Sequence, residues 1–165
     1  MPILREGELD IISHSPEQTR RLGVRLGKAL AAGDVICLSG DMGAGKTVFS
    51  AGIGKGWGAK TRLTSPTFNL VHEHRRDGDG LLYHLDCYRL HGMADAESVG
   101  LDDILNGQGT VILEWPEHIE DALPPERLWV ELRIIEPNRR NFVFEATGQR
   151  YEALLSRFRQ MTFGV

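Results

Sequence analysis

The pattern of apolar and polar positions predicts a helix near the amino terminus. Ser15 suits the N-cap of this helix, Pro16 its first helical position, and Gln18 the return bond of a capping box. Apolar side chains then recur on one face at helical spacing: Leu22, Leu26, Ala29 and Leu30. Glycine is typical of the residue just past a helix, so we expect this one to end at Gly33.

The rest of the chain alternates between strand-length apolar runs and helical spacing. Strands are predicted at Val35–Ser39, Thr67–Glu73, Leu81–Asp86, Thr110–Leu113, Leu128–Ile135 and Asn141–Ala146. Helices are predicted at about 46–55, Ala94–Leu105 and Tyr151–Gln160. Turn or break signals lie at Asp77–Gly80 and Pro124-Pro125. Strands alternating with helices predict an α/β fold, and the hairpin-like pairs predict a mixed sheet.

Length and composition limit the classes of protein that remain. A chain of 165 residues predicts one domain over residues 1–165. Hydrophobic residues at 41% and charged residues at 25% are ordinary for a globular protein and exclude a disordered or coiled-coil chain. No apolar run approaches the roughly 18 residues of a membrane span, and no apolar targeting core follows Met1. We therefore expect a cytoplasmic protein.

The charge balance and the cysteines exclude two further possibilities. The net charge of −4 argues against a protein that binds nucleic acid alone, because phosphate contacts need a basic surface. If the chain acts on a nucleic acid, we expect it to do so through a partner. The two cysteines, Cys37 and Cys87, lie in apolar runs and are expected to be buried thiols rather than a disulfide or metal pair.

The segment Gly40–Thr47 carries the strongest motif. It reads GDMGAGKT, a complete G-x-x-x-x-G-K-T match between a predicted strand and a predicted helix. In such a P-loop, backbone N–H groups hold phosphates at the helix N-terminus. The lysine, here Lys46, reaches the β- and γ-phosphates, and the hydroxyl of Thr47 holds Mg²⁺. The predicted nucleotide-binding residues are Gly40, Asp41, Met42, Gly43, Ala44, Gly45, Lys46, Thr47 and Val48.

Two carboxylates follow apolar runs and could complete the Mg²⁺ site. Glu114 comes after the run ending at Leu113, and Asp86 after the run ending at Leu85. Ligands of open α/β sheets gather at the carboxyl ends of the strands, where both carboxylates are predicted to lie. Glu114 follows the more uniformly apolar strand and is preferred for the metal. Asp86 then suits a place beside the γ-phosphate, orienting a water or sensing the nucleotide. Lys46, Asp86 and Glu114 are thus the catalytic candidates.

Three functions are compatible with these motifs. They are an ATPase that acts on a partner complex, a small-metabolite or nucleotide kinase, and a nucleotide switch with negligible turnover. The chain has neither the N-K-x-D motif of GTPases nor the LSGGQ motif of transporter ATPases. A kinase usually adds Arg-rich lid helices, which the sequence between Ala94 and Asp121 does not contain. The two strand-end carboxylates weigh against a mere switch.

Other conspicuous residues receive structural interpretations. His72-Glu73-His74 lacks metal-ligand spacing and is expected to line a strand. The three tryptophans, Trp57, Trp115 and Trp129, are expected to be packing residues.

Four motifs occur in one order along the chain: GDMGAGKT at 40–47, SPTF at 65–68, YHLDCYRL at 83–90 and EWPE at 114–117. Together they resemble the TsaE family, bacterial ATPases required for threonylcarbamoylation of adenosine 37 in tRNAs that read ANN codons. The resemblance covers about residues 15–148. It implies a parallel sheet core flanked by antiparallel strands, ATP with Mg²⁺, and the TsaB and TsaD proteins as partners. Contact with tRNA is then expected only through these partners.

The resemblance also assigns roles to individual residues. Thr47 and Glu114 are implied as Mg²⁺ ligands, and Asp86 as a residue needed for ATPase function. Glu17, Thr19 and Arg140 match positions near the bound nucleotide. The family's nucleotide-responsive switch loop corresponds to Ser65, Pro66, Thr67 and Phe68.

Hydrolysis is expected to be slow in the isolated protein. A fast P-loop enzyme needs a placed water and often a further cation in the transition state. Arg89, close to Asp86 in the sequence, is the candidate within this chain, and an Arg or Lys of a partner is the alternative.

Overall fold

The computed structural model describes residues 7–64 and 70–164. Its strands are β1 (Glu8–Ser13), β2 (Val35–Ser39), β3 (Val71–Arg75), β4 (Leu81–Asp86), β5 (Thr110–Glu114), β6 (Arg127–Glu136) and β7 (Arg139–Thr147). Within the described ranges they form a seven-stranded sheet in the order β1-β7-β6-β2-β5-β4-β3. The inner strands β6, β2, β5 and β4 are parallel, whereas β7, β1 and β3 pair antiparallel. The predicted mixed α/β sheet with a parallel core is confirmed.

The centre of the sheet brings three strand ends together. Every residue of β2 and β5 is buried, as expected for parallel strands that are covered on both faces. In the register of the sheet, Glu114 at the end of β5 lies beside Leu38 of β2 on one side and Asp86 of β4 on the other. The carboxyl edge of these strands positions the candidate site.

The helices are α1 (Pro16–Ala29), α2 (Lys46–Trp57), α3 (Gly92–Ser98), α4 (Leu101–Leu105) and α5 (Gln149–Phe163), with a 3₁₀ helix at Pro116–Ala122. The predicted cap of α1 is present, since Ser15 Oγ accepts from the backbone N–H of Gln18 at 3.1 Å. The Gln18 side chain accepts in turn from the backbone N–H of His14 at 2.8 Å. None of the helices in the described ranges has the length and hydropathy to cross a membrane.

Helices α1 and α2 touch through backbone rather than side chains. A Cβ atom added at Gly27 of α1 would lie 2.1 Å from the carbonyl oxygen of Ile53 in α2. One added at Gly56 of α2 would lie 2.0 Å from the carbonyl oxygen of Val24 in α1. Real Cβ atoms do not approach so closely, so only glycine allows this contact. We call these positions, with the similarly crowded Gly23 and Gly52, the glycine seam.

Aromatic side chains fill the core between β7 and the helices. The ring of Phe49 from α2 packs 5.1 Å from that of Phe142, and Phe144 packs 5.0 Å from Phe158 of α5. Tilted contacts of this kind are favourable for aromatic pairs. Cys37 and Cys87 are both buried free thiols, as predicted.

Several predicted boundaries were wrong. The helix expected over Ala94–Leu105 is two short helices, because Gly100 adopts a left-handed φ of +75° between them. Helix α1 ends at Ala29 rather than at Gly33, which lies in the turn beyond it. Strand β3 runs to Arg75 rather than ending at Glu73, and the predicted start at Thr67 lies outside the described part of the chain. Strand β1 was not predicted, although the alternation of its buried positions could have revealed it.

Candidate functional site

The P-loop connects β2 to α2 through three glycines with positive φ, Gly40, Gly43 and Gly45. Gly40 has φ +135°, and a Cβ there would lie 2.4 Å from the carbonyl oxygen of Leu132. Gly45 has φ +102° and forms the N-cap of α2. This conformation starts the helix directly at Lys46, so the unpaired N–H groups of its first turn can bind an anion.

Lys46, the first residue of α2, is held inside the P-loop. Its Nζ donates to the carbonyl oxygen of Gly40 and lies 3.7 Å from the centroid of the Trp115 ring. Lys46 as a whole residue is 7% exposed. Burial lowers the pKa of Lys46, while four carboxylates act in the opposite direction: Glu114, Glu117, Asp86 and Asp41. The ammonium is therefore a partly desolvated cation with acidic neighbours.

Trp115 is a site residue that the sequence interpretation missed. It was expected only to pack, yet its ring forms the cation–π contact with Lys46. Its φ of +57° is the left-handed conformation, which is uncommon for a bulky residue. Strand β5 ends at this turn, and the ring packs 5.1 Å from that of Tyr88. Its place directly after Glu114 was the available signal.

The two predicted carboxylates lie on adjacent strand ends. Asp86 and Glu114 are register partners across β4 and β5. The carboxylate of Asp86 accepts from the backbone N–H of Tyr88 at 3.0 Å. Glu114 is 4% exposed, and its Oε2 lies 2.6 Å from Nε2 of the fully buried His84. The two acids therefore sit in different surroundings, one partly open and one buried.

A cavity of about 370 Å³ brings these residues together, and we call it the P-loop cavity. It is lined by Met42, Gly43, Gly45, Lys46, Thr47, Val48, Asp86, Tyr88, Glu114 and Trp115. Its oxygen donors are the hydroxyl of Thr47 and the carboxylates of Asp86 and Glu114, the ligand type that Mg²⁺ prefers. The described residues contain no cluster of three or more His, Cys, Asp or Glu that could hold a metal. Mg²⁺ fits such a site when phosphate oxygens and waters supply its remaining ligands.

A smaller cavity of about 130 Å³, the side cavity, lies at the other side of the P-loop. It is lined by Ser15, Pro16, Thr19, Gly43, Gly45, Val48, Pro137, Asn138 and Arg140. The structure thus places Thr19 and Arg140 beside the P-loop. The Thr19 hydroxyl is already bonded to Ser13 Oγ at 2.8 Å. Glu17 is not among the lining residues and is exposed, 3.8 Å from Arg21.

The guanidinium of Arg140 donates hydrogen bonds to the backbone of the P-loop. Its Nε donates to the carbonyl oxygen of Ala44 at 3.1 Å, and Nη2 donates to that of Gly43 at 3.2 Å. Its Nη1 lies within 3.0 Å of three further carbonyl oxygens, those of Glu136, Pro137 and Arg139. Arg140 therefore ties the P-loop to the β6–β7 turn.

Two further predicted residues or segments lie apart from these cavities. Arg89 is exposed and forms no ion pair with any residue of 7–64 or 70–164. The segment predicted as a switch loop, Ser65 to Phe68, lies outside the described residues.

Comparison with known proteins adds independent evidence. A family model, "Threonylcarbamoyl adenosine biosynthesis protein TsaE", matches residues 13–142. A "tRNA threonylcarbamoyladenosine biosynthesis protein TsaE" of Bacillus subtilis is 39% identical over 140 residues, which are 85% of this chain and 87% of that protein. A protein of the same name from Streptomyces coelicolor is 44% identical over 66% of this chain and 74% of its own length. The crystal structure of Bacillus subtilis YdiB superposes with a TM-score of 0.81 at 35% identity, covering 94% of this chain and 96% of that one.

Proposed function

The chain belongs to the TsaE family of tRNA threonylcarbamoyladenosine biosynthesis, and we propose that it serves this process by hydrolysing ATP with Mg²⁺ in the P-loop cavity. One observation carries the proposal. A single cavity at the P-loop is lined by Lys46 and Thr47 of α2, Asp86 of β4 and Glu114 of β5. In this proposal the modified position is adenosine 37 of tRNAs that read ANN codons, and the site of action is the cytoplasm.

Each residue of the P-loop cavity has its own role in this proposal. Lys46 binds the β- and γ-phosphates, because an anionic oxygen is a stronger partner for an ammonium than the Gly40 carbonyl. Thr47 and Glu114 hold Mg²⁺, which when bound neutralises charge on these phosphates. Asp86 accepts a hydrogen bond from the attacking water and orients it.

The side cavity suits the remainder of the nucleotide. It adjoins the P-loop at Gly43 and Gly45, and both Thr19 and Arg140 line it. Through its bonds to the carbonyls of Gly43 and Ala44, Arg140 holds the loop conformation that the phosphates require. Glu17, exposed at the start of α1, contributes to nucleotide binding at the rim of the side cavity.

We further propose that hydrolysis depends on the TsaB and TsaD proteins, and that tRNA is contacted through them. Among the described residues that line the P-loop cavity, Lys46 is the one cation. Arg89 or a cation of the partner complex supplies the second positive charge for the transition state. The net charge of −4 supports indirect contact with tRNA.

Steady-state phosphate release tests the proposal. We expect slow release by the protein alone, faster release with the TsaB–TsaD pair and tRNA, and none with Lys46→Ala. Co-purification with the pair, with and without ATP, tests the partnership separately. Rapid turnover that partners do not change would contradict partner dependence, and absence of phosphate release in every mixture would contradict the ATPase.

A small-metabolite or nucleotide kinase is the alternative function. It predicts a phosphorylated metabolite rather than free phosphate as the product of ATP consumption. Residues 92–122 contain no Lys or Arg at all, so they supply no basic lid for a second substrate. The absence of such a lid favours hydrolysis over phosphoryl transfer to a second substrate.

A further inference from the structure

The buried contact between His84 and Glu114 has no role in the function as proposed so far. His84 lies in the middle of β4, two residues before Asp86, and is 0% exposed. Its Nε2 is 2.6 Å from Oε2 of Glu114, whose side chain is 5% exposed. The two side chains come from adjacent parallel strands and meet beneath the P-loop cavity.

The direction of this hydrogen bond follows from its partners. A carboxylate that binds Mg²⁺ only accepts, so in the proposed function the imidazole Nε2 carries the hydrogen and donates to Oε2. Nδ1 of His84 has no partner within residues 7–64 and 70–164. Oε1 of Glu114 likewise has no hydrogen bond to the described residues, so the contact occupies one carboxylate oxygen and leaves the other.

A hydrogen bond such as that from His84 fixes the orientation of the Glu114 carboxylate. A glutamate side chain has three rotatable torsions, and a ligand to Mg²⁺ must present its oxygen within a narrow octahedral geometry. Partners that hydrogen-bond to metal ligands fix their orientation, and their loss typically reduces metal affinity about 10–100-fold. A buried polar pair adds little to stability compared with an apolar pair of similar volume. The position of this pair at a metal ligand therefore favours a functional role.

We propose that His84 is a positioning residue, which holds the Glu114 carboxylate so that Oε1 faces Mg²⁺ brought in with the nucleotide. The inference deepens the proposed function and rests on its assignment of Glu114 to the metal. His84 itself is not among the residues that line the P-loop cavity.

The test compares two amides that differ in reach. In His84→Gln the amide nitrogen lies at about the position of the imidazole Nε2, whereas in His84→Asn it is too short to reach Oε2. The readout is the affinity of the protein–ADP complex for Mn²⁺, a spectroscopic substitute for Mg²⁺, titrated by electron paramagnetic resonance. We expect His84→Asn to weaken Mn²⁺ binding about tenfold and His84→Gln to keep it within about threefold.

Two measurements separate this role from a general structural one. ADP binding in excess chelator reports the P-loop without metal, and neither variant should change it. His74→Asn provides a matched control, because His74 is also buried on the neighbouring strand β3 but bonds to Thr61 Oγ1 at 3.0 Å. This control should leave Mn²⁺ affinity unchanged.

The outcomes distinguish this inference from the proposed function. Equal Mn²⁺ affinities of His84→Asn, His84→Gln and the unmodified protein would overturn the role of His84. If Glu114→Gln also left Mn²⁺ affinity unchanged, the assignment of Glu114 to the metal would fall as well. A loss in Glu114→Gln and His84→Asn, with recovery in His84→Gln, supports both.

Discussion

The two sides of the P-loop are each held by one basic side chain, but in different ways. On the side of the P-loop cavity, Lys46 has a single carbonyl partner, Gly40, and an aromatic face. On the side cavity, Arg140 bonds to five carbonyl oxygens, two of which belong to Gly43 and Ala44. Lys46 is desolvated by burial, whereas Arg140 has its charge distributed over a planar fork that the backbone satisfies.

From this difference we expect Lys46 to bind ligand and Arg140 to hold the fold. Lys46 can exchange its carbonyl for a phosphate oxygen, since only one hydrogen bond must be replaced. Arg140 cannot leave its carbonyls without exposing several backbone acceptors at once. We therefore expect substitutions on the first side to act on ligands and those on the second to act first on the fold.

The largest effect is expected from Lys46→Ala. Two charge-assisted hydrogen bonds to phosphate, at about 1.5–3 kcal/mol each, correspond to at least about 100-fold in ATP affinity. Calorimetric titration with ATP and Mg²⁺ measures it, and Lys55→Ala, at the exposed end of the same helix, is the control. ATP affinity equal to that of the unmodified protein would show that Lys46 does not bind the phosphates.

The next largest effect is expected from Glu114→Gln. The amide keeps the shape of the side chain but loses the charge that we propose holds the metal, so Mg²⁺-dependent phosphate release should fall about 10–100-fold. ATP binding should change much less. If Asp86→Asn removed the metal dependence while Glu114→Gln did not, the roles of the two carboxylates would be reversed.

Arg140→Ala should act through the fold. Loss of a guanidinium bonded to the P-loop backbone should lower the free energy of unfolding by about 1–3 kcal/mol, with weaker ATP binding as a consequence. Arg140→Lys should not restore stability, because one ammonium cannot span these carbonyls. Urea unfolding measures the effect, with Arg139→Ala as a surface control. A large loss of ATP affinity at unchanged stability would show that Arg140 binds the nucleotide directly.

The smallest effect concerns pH and the buried side chain of His74 in β3. Burial, with the nearby His84 and His72, lowers the pKa of His74 below its usual 6.5. The folded protein then binds fewer protons than the unfolded chain, so stability is complete above about pH 6.5 and falls on acidification below it. Thermal unfolding between pH 5 and 7.5 should show this slope, and His74→Leu should flatten it. An unchanged slope would assign the acid sensitivity to other groups.

The sequence predicts those features whose residues lie close together along the chain, and it does not predict contacts between distant residues. The P-loop and the carboxylates that end β4 and β5 can be predicted because each depends on a short run of residues and its flanking strand. The contact of Arg140 with Ala44 joins residues 96 positions apart, and no pattern around either residue indicates it. The bond from His84 to Glu114 depends on the register of β4 beside β5. Trp115 was taken for a packing residue because its backbone turn, rather than its residue type, brings the ring to Lys46.

The glycine seam has a mechanical consequence for the site. Two helices in backbone contact have almost no compressible side chains between them, so they move as one stiff body. Thr19 in the first turn of α1 and Lys46 at the start of α2 belong to that body, so we expect the distance between their backbones to change little. Any displacement that accompanies the reaction is then expected outside this pair of helices. We expect the seam to act as a fixed frame for the rest of the site.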